Sequence, residues 1–242
     1  MSDPLINDIL ALGKNLGANR MVLPGEGTVA TRATVSRLVV SRRGASLAEL
    51  EAGDLVHLDM ERMGAIAAQD SVLPEDIAGA QLHAEREAVP HEDAALFAYL
   101  LGLDPNLHAA AHIHPVAIDQ ITASPRARQF ADRRTVHSEV IALGSSLLLV
   151  NYAEPGIPLM REIEKKMVLW RDRHKSVPRT ILIQNHGVVM LGEDAASLWR
   201  NVQGLLKYAE VFIGASLLGG PVFLTPQAIT QIELNLKGRN GE

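Results

Sequence analysis

The sequence predicts an α/β layer architecture whose sheet is not purely parallel. Three observations carry that reading. Runs rich in β-branched residues interleave with segments of helical apolar spacing, the first two runs lie close enough to form a hairpin, and no repeat or linker divides the 242 residues. Leu5, Ile6, Ile9, Leu10, Leu12 and Leu16 recur at helical spacing after Pro4, and Gly17 supplies a stop. Gly25-Glu26-Gly27 then breaks the chain before residues 28–32 and 37–41, two β-branched runs joined by a short polar stretch, hence a hairpin. Residues 54–59 follow the turn at Gly53 as a third strand. Alanine-rich helical segments over 75–88 and 91–103 precede the apolar run 107–111 and its continuation His112-Ile113-His114, and a further helix begins at Pro115. A strand over 146–151, a helix over 157–173, a strand over 180–185 and a long helix over 193–218 complete the order. The turn-forming stretch 152–158 is short and joins a strand to a helix, so residues 1–242 read as one domain. In the long helix, Leu198, Val202, Leu205, Leu206, Ala209, Phe212, Ile213 and Leu217 form an arc too broad for one face of a surface helix. That places the helix at the centre of the fold or at an interface.

Composition narrows the function. Apolar residues make up 47% of the chain, ample for a sizeable core. A net charge of −5 argues against a nucleic-acid or anionic-membrane surface, and the local cluster Arg126, Arg128, Arg133 and Arg134 reads as a solvated helix end. With no cysteine there is no thiolate chemistry, and any metal ligands must be nitrogen or oxygen donors. The start Met1-Ser2-Asp3-Pro4 lacks a basic region followed by a long apolar stretch, which fits a cytoplasmic protein without a membrane span.

His112 and His114 carry the chemistry. Residues i and i+2 of a strand face the same side, so the pair presents two imidazoles together, a metal-ligand arrangement. Nine histidines placed at random would give about 0.3 such pairs, so context decides. That context is His186, which ends the run 180–185 and is followed by Gly187, a residue able to turn the backbone sharply. Three imidazoles leave one side of an ion open. Glu92, at the start of the helix that runs into the His-x-His strand, supplies a carboxylate. His57, His83, His108, His137 and His174 read as ordinary histidines.

These residues resemble the class II aldolase and adducin head-domain family of metal-dependent sugar-phosphate aldolases and the ribulose-phosphate 4-epimerase. The resemblance runs from about Asp3 to Leu224. It rests on His112-Ile113-His114-Pro115 after an apolar strand and on residues 185–192, Asn-His-Gly-Val-Val-Met-Leu-Gly, before a long helix. The glycine-rich stretch 25–32 and the strand start Gly53-Asp54-Leu55-Val56 are similar as well. The resemblance implies a three-layer α/β/α sandwich on a largely antiparallel sheet. It implies a divalent metal, zinc before manganese, held by His112, His114 and His186, with Glu92 as the acid/base residue. Substrate contacts are expected at Gly27, Thr28, Arg42 and Gly44, and at His91 from its place beside Glu92 at the helix start.

The departures fall at the substrate's anion. Where sugar-phosphate members place two serines before the glutamate, this chain has Pro90-His91-Glu92. The usual asparagine of the glycine-rich hairpin is Thr28, and a Thr-Pro-Ser-Gly segment is replaced by Ser41-Arg42-Arg43-Gly44. Arginine forks suit a carboxylate as well as a phosphate, and the sequence does not choose between Arg42 and Arg43.

An open metal position would polarise the carbonyl of a hydroxy ketone or keto acid and hold the enolate left by C–C cleavage, while a glutamate nearby shuttles the proton. The expected activity is therefore a metal-dependent, retro-aldol lyase acting on a small hydroxy-ketone, sugar-phosphate or keto-acid substrate, in carbohydrate metabolism. A decarboxylase or a 4-epimerase would use the same enolate, and an adducin-like binding module is the non-catalytic alternative. The resemblance also implies a ring-shaped homotetramer in which a neighbouring subunit completes each site. None of Tyr99, Tyr152 and Tyr208 can be matched to the tyrosine that often does so.

Overall fold

A computed structural model describes residues 4–69, 72–82 and 88–239. In chain order the elements are α1 (Pro4–Ala18), β1 (Thr28–Thr34), β2 (Arg37–Ser41), two 3₁₀ turns (Leu47–Glu49 and Ala52–Asp54), β3 (Leu55–Asp59), α2 (Met60–Ala67), α3 (Pro74–Gly79), α4 (Ala94–Gly102), β4 (Ala109–Ile113), α5 (Val116–Thr122), α6 (Ala127–Asp132), α7 (His137–Leu143), β5 (Leu148–Val150), α8 (Ile157–His174), β6 (Thr180–Ile183), β7 (Gly187–Gly192), α9 (Ala195–Leu217) and α10 (Pro226–Arg239). The strands form one sheet in the order β3-β2-β1-β4-β7-β6-β5. Every pairing is antiparallel except β5 with β6.

Alternation along the strands divides the core into two layers of contact. Ala30, Val40, Ala110, Ile181, Val189 and Leu191 pack with α4 and α8 on one face. Val29, Val39, Ala111, Leu182, Val188 and Met190 pack with α1, α5, α6 and α9 on the other. This is the three-layer sandwich with a largely antiparallel sheet. Because the central strands are covered on both faces, they read as continuous apolar runs. That explains why β7, with residues 187–192 all buried, follows the turn at His186 without any polar alternation to mark it.

Several boundaries differ from the sequence reading. The helix expected over 75–88 ends at Gly79, because the chain then runs along the edge of β3. Asp59 N–H donates to the Ala80 carbonyl, and Leu82 N–H to that of His57, at 2.9 Å each. Residues 83–87, with His83, lie outside the described residues. The helix expected from His91 starts at Ala94, leaving Glu92 in the turn before it. Beyond the expected elements, α10 follows Thr225-Pro226, where the Thr225 hydroxyl caps Ala228 N–H at 3.2 Å and proline takes the first helical position.

The long helix α9 is central to its layer, with Leu198, Val202, Leu205, Ala209 and Phe212 buried, while Leu217 at its end is exposed. Arg134 corrects the reading of a solvated arginine cluster, since its side chain is fully buried. It donates to the carbonyls of Gly144 at 2.6 Å, Arg133 at 2.7 Å and Phe130 at 3.1 Å. Burial lowers its pKa to about 10, against the attraction of Glu139, so it remains charged at neutral pH. Carbonyls left over at the end of α6 thus find their donor. No helix among the described residues is long and apolar enough to cross a membrane.

Candidate metal centre

The centre sits where β4 and the turn between β6 and β7 meet the segment leading into α4. His112 is the fourth residue of β4, and His114 lies just beyond the strand. His186 does not end a strand. It is the last residue of the three-residue turn after β6, in which Asn185 has a φ of 59°. Gly187 follows at a φ of 97°, and a Cβ there would stand 2.6 Å from both the His114 ring and the Ile113 carbonyl. Only a glycine permits this approach, which brings the turn against β4. Gly27 makes a similar approach on the other side of β4. Its φ is 72°, and a Cβ would stand 2.4 Å from Val22 and 3.0 Å from the His112 carbonyl.

The three rings converge. Their centroids lie 5.0 Å apart for His112 and His114, 4.9 Å for His112 and His186, and 5.4 Å for His114 and His186. Their ligand atoms all lie within 4.8 Å of one another. His112 Nε2, His114 Nε2 and His186 Nδ1 are each buried without a hydrogen-bond partner. Buried polar nitrogens are ordinarily paired, so three orphans on converging rings fit the donor set of a cation.

Behind His112 stands Asp93, a residue the sequence reading passed over. Its Oδ2 lies 2.9 Å from His112 Nδ1, and the carboxylate is 1% exposed. A carboxylate on one ring nitrogen fixes the tautomer and leaves the other free for a metal. His91 supports this acid, because its Nδ1 accepts the Asp93 N–H at 3.2 Å and lies 3.4 Å from Oδ2. A capping acid before an alanine-rich helix was the only signal in the sequence, and it is too common to single out. Glu26 was passed over too. Its Oε2 lies 3.7 Å from His114 Nδ1 and accepts the Leu23 N–H at 3.2 Å. Tyr152 places its ring 6.2 Å from that of His186, and its hydroxyl donates to Glu154 at 2.9 Å.

The electrostatics follow from burial and these neighbours. Burial alone would raise the Asp93 pKa, but the His112 charge and hydrogen bond outweigh it and hold the carboxyl at about 2. For His112 burial opposes charging, and Asp93 overcomes it, so the pKa is raised. Burial and the adjacent His112 and His186 lower His114 to about 4 against the pull of Glu26. His186 is lowered by burial and by His112. Two of the three rings are thus held neutral, the form in which imidazole binds a metal.

The other expected site residues are placed differently from one another. Glu92 is one-third exposed, and its Oε2 lies 3.0 Å from Arg43 Nη2. Arg42 turns away to Asp54, with Nε to Oδ1 at 2.8 Å. Of the two arginines, Arg43 is the one that meets Glu92. Thr28 pairs with His112 across β1 and β4, but it is fully buried and its hydroxyl is 2.9 Å from that of Ser41. Gly44 has a φ of 70°, and a Cβ there would meet nothing within 4 Å.

A three-layer α/β/α sandwich with a largely antiparallel sheet, and three imidazoles gathered where β4 meets the turn after β6 that could hold a metal ion, is the arrangement of a class II aldolase-type domain. Residues 7–213 match the Class II Aldolase and Adducin N-terminal domain family, and the chain belongs to it. Among solved structures it is similar to an L-fuculose 1-phosphate aldolase, at 15% identity over 98% of each chain with a TM-score of 0.74. It is also similar to YgbL of Klebsiella pneumoniae, described as a candidate aldolase/epimerase/decarboxylase, at 16% identity over 96% of this chain and 99% of that one with a TM-score of 0.71. A sugar-phosphate aldolase from Thermotoga maritima matches at 17% identity over 90% and 97%, with a TM-score of 0.69. At these identities the likeness is one of fold. No curated protein matched the chain.

Proposed function

We propose that this chain is a metal-dependent C–C lyase in which His112, His114 and His186 hold a divalent cation, with zinc preferred for an all-nitrogen set. The single observation that carries the proposal is the set of three buried, unpartnered ring nitrogens backed by Asp93. A cation there supplies Lewis acidity, drawing electron density from the carbonyl of a hydroxy ketone or keto acid. Asp93 positions His112 and, being fully buried and engaged, has no path to a substrate. Glu92 is one-third exposed, carries a charge felt by His112, and stands beside the centre. It is the group assigned to take a proton from the substrate hydroxyl and return it to carbon as the bond breaks. Arg43 holds one of its oxygens and so fixes its orientation. Gly27 keeps its segment close against the His112 carbonyl, Gly44 leaves the space beside Arg43 open, and His91 acts through Asp93. Decarboxylation or epimerisation would use the same groups.

A panel of hydroxy ketones, sugar phosphates and keto acids, assayed for aldehyde, pyruvate or carbon dioxide release with the zinc-loaded protein, tests this directly. Turnover that needs the metal and falls by about 10²–10⁴ in Glu92→Gln, with metal content unchanged, is expected. Wild-type turnover in that variant would reduce Glu92 to a structural residue.

A further inference from the structure

Beside this centre stands an ion pair, Arg43 with Glu92, and the pair is held by backbone. Arg43 N–H donates to the Val89 carbonyl at 2.9 Å, and Arg42 forms an isolated antiparallel bridge with Pro90. The segment after β2 is thereby laced to the segment before α4, which sets Arg43 Nη2 3.0 Å from Glu92 Oε2. A third segment closes against them, since a Cβ at Gly156, whose φ is 81°, would stand 3.4 Å from that of Glu92. That loop also carries Tyr152 and Glu154.

The charges around the three imidazoles are one-sided. Glu26 stands at His114, Asp93 at His112, Glu92 at Arg43, and Glu154 acts on His186. Among the described residues, the guanidinium that meets this group is Arg43, already matched by Glu92, while Arg42 is taken by Asp54. These four carboxylates, with Asp119 acting on Glu26 and His112 as well, outnumber one guanidinium and one divalent ion and leave the surroundings net negative. A phosphate dianion seeking Arg43 would have to displace Glu92 and then lie beside its carboxylate, at a cost set by like charges in a partly desolvated site.

Resting on the metal-dependent reading above, we infer that the Arg43–Glu92 pair selects against phosphorylated substrates. The substrate class is a small, non-phosphorylated hydroxy-carbonyl compound whose end facing Arg43 is neutral or carries at most one carboxylate. A single planar carboxylate can share the arginine fork without bringing a second negative charge.

Two probes with the same chelating head separate the possibilities: glycolohydroxamate and phosphoglycolohydroxamate, titrated calorimetrically into the zinc-loaded protein. The plain probe is expected to bind at least tenfold tighter than the phosphorylated one. Glu92→Gln, which frees the guanidinium and removes a carboxylate, is expected to raise affinity for the phosphorylated probe about tenfold relative to that for the plain probe. Arg43→Gln is expected to weaken the phosphorylated probe further. Tighter binding of the phosphorylated probe to the wild-type protein would overturn the inference, and so would an Arg43→Gln variant with unchanged selectivity. If neither probe binds in a zinc-dependent way, the metal-dependent reading itself fails. Zinc-dependent binding with the reverse preference leaves that reading intact and removes only the selectivity.

Discussion

Removing Asp93 should weaken the metal centre without touching a ligand. The 2.9 Å contact between its carboxylate and His112 Nδ1 is fully buried, so it is a charge-assisted hydrogen bond with little solvent screening. The acid fixes the His112 tautomer with Nε2 facing the other two rings and raises the basicity of that nitrogen. Loss of such an outer partner typically costs about 10–100-fold in metal affinity, or about 1.4–2.7 kcal/mol. Asp93→Asn keeps an oxygen that can accept from Nδ1 but removes the charge, and falls at the tenfold end. Asp93→Ala removes the acceptor, lets the ring change tautomer, and falls at the hundredfold end. Competition against a chromophoric chelator gives the affinities, with circular dichroism confirming the fold. Proton NMR of the metal-free alanine variant should show the His112 pKa falling, because the main opposition to burial is then gone. Zinc affinity within twofold of wild type in a folded Asp93→Ala protein would refute the role given to Asp93.

Two further outcomes are expected. The stability of the metal-free protein should fall as pH is lowered from about 6.5 to 4. His114, at about 4, and His186 are held neutral when folded, so each contributes stability that is present above the unfolded value and lost as pH falls through the folded one. His112 works in the opposite sense, because its raised pKa adds stability below the unfolded value that is lost as pH rises through the folded one. That change lies above about pH 6.5 and so does not offset the loss below it, and a urea midpoint that climbed on acidification from about 6.5 to 4 would contradict the assignment. For assembly, we propose a cyclic homotetramer, and light scattering at micromolar concentration should give a mass well above the 26.2 kDa of one chain. A mass at that value would refute it, whereas a dimer would contradict only the ring.

Local patterns made much of the fold legible. The hairpin of β1 and β2, the third strand, the His-x-His strand and the two long helices all follow from residue spacing and from the glycines that interrupt it. The elements that escaped have local signals that tertiary structure overrides or that are too common to act on. β7 is apolar on both faces because two helical layers cover it, which erases alternation. The 75–88 helix stops early because the edge of β3 offers its backbone groups a better partner. Arg134 is buried because several carbonyls from α6 and the 144 turn converge on it, a property of no single segment. At the site, His112, His114 and His186 were visible as residue types at telling positions. Their dependence on Asp93 and Glu26 was not, because those contacts join residues about 20 and about 90 positions apart in the chain. The choice between Arg42 and Arg43 likewise needed the fold, since neighbouring residues at a strand end point opposite ways and only the packing of Val89 and Pro90 decides which one meets Glu92.

Metal content measured on the purified protein and on a His112→Ala, His114→Ala variant tests the central claim most directly. After zinc loading and desalting, elemental analysis should find about one ion per chain in the wild-type protein and almost none in a folded double variant. Equal metal content in the two, or no bound ion in the loaded wild-type protein, would contradict the assignment of these histidines as a metal centre.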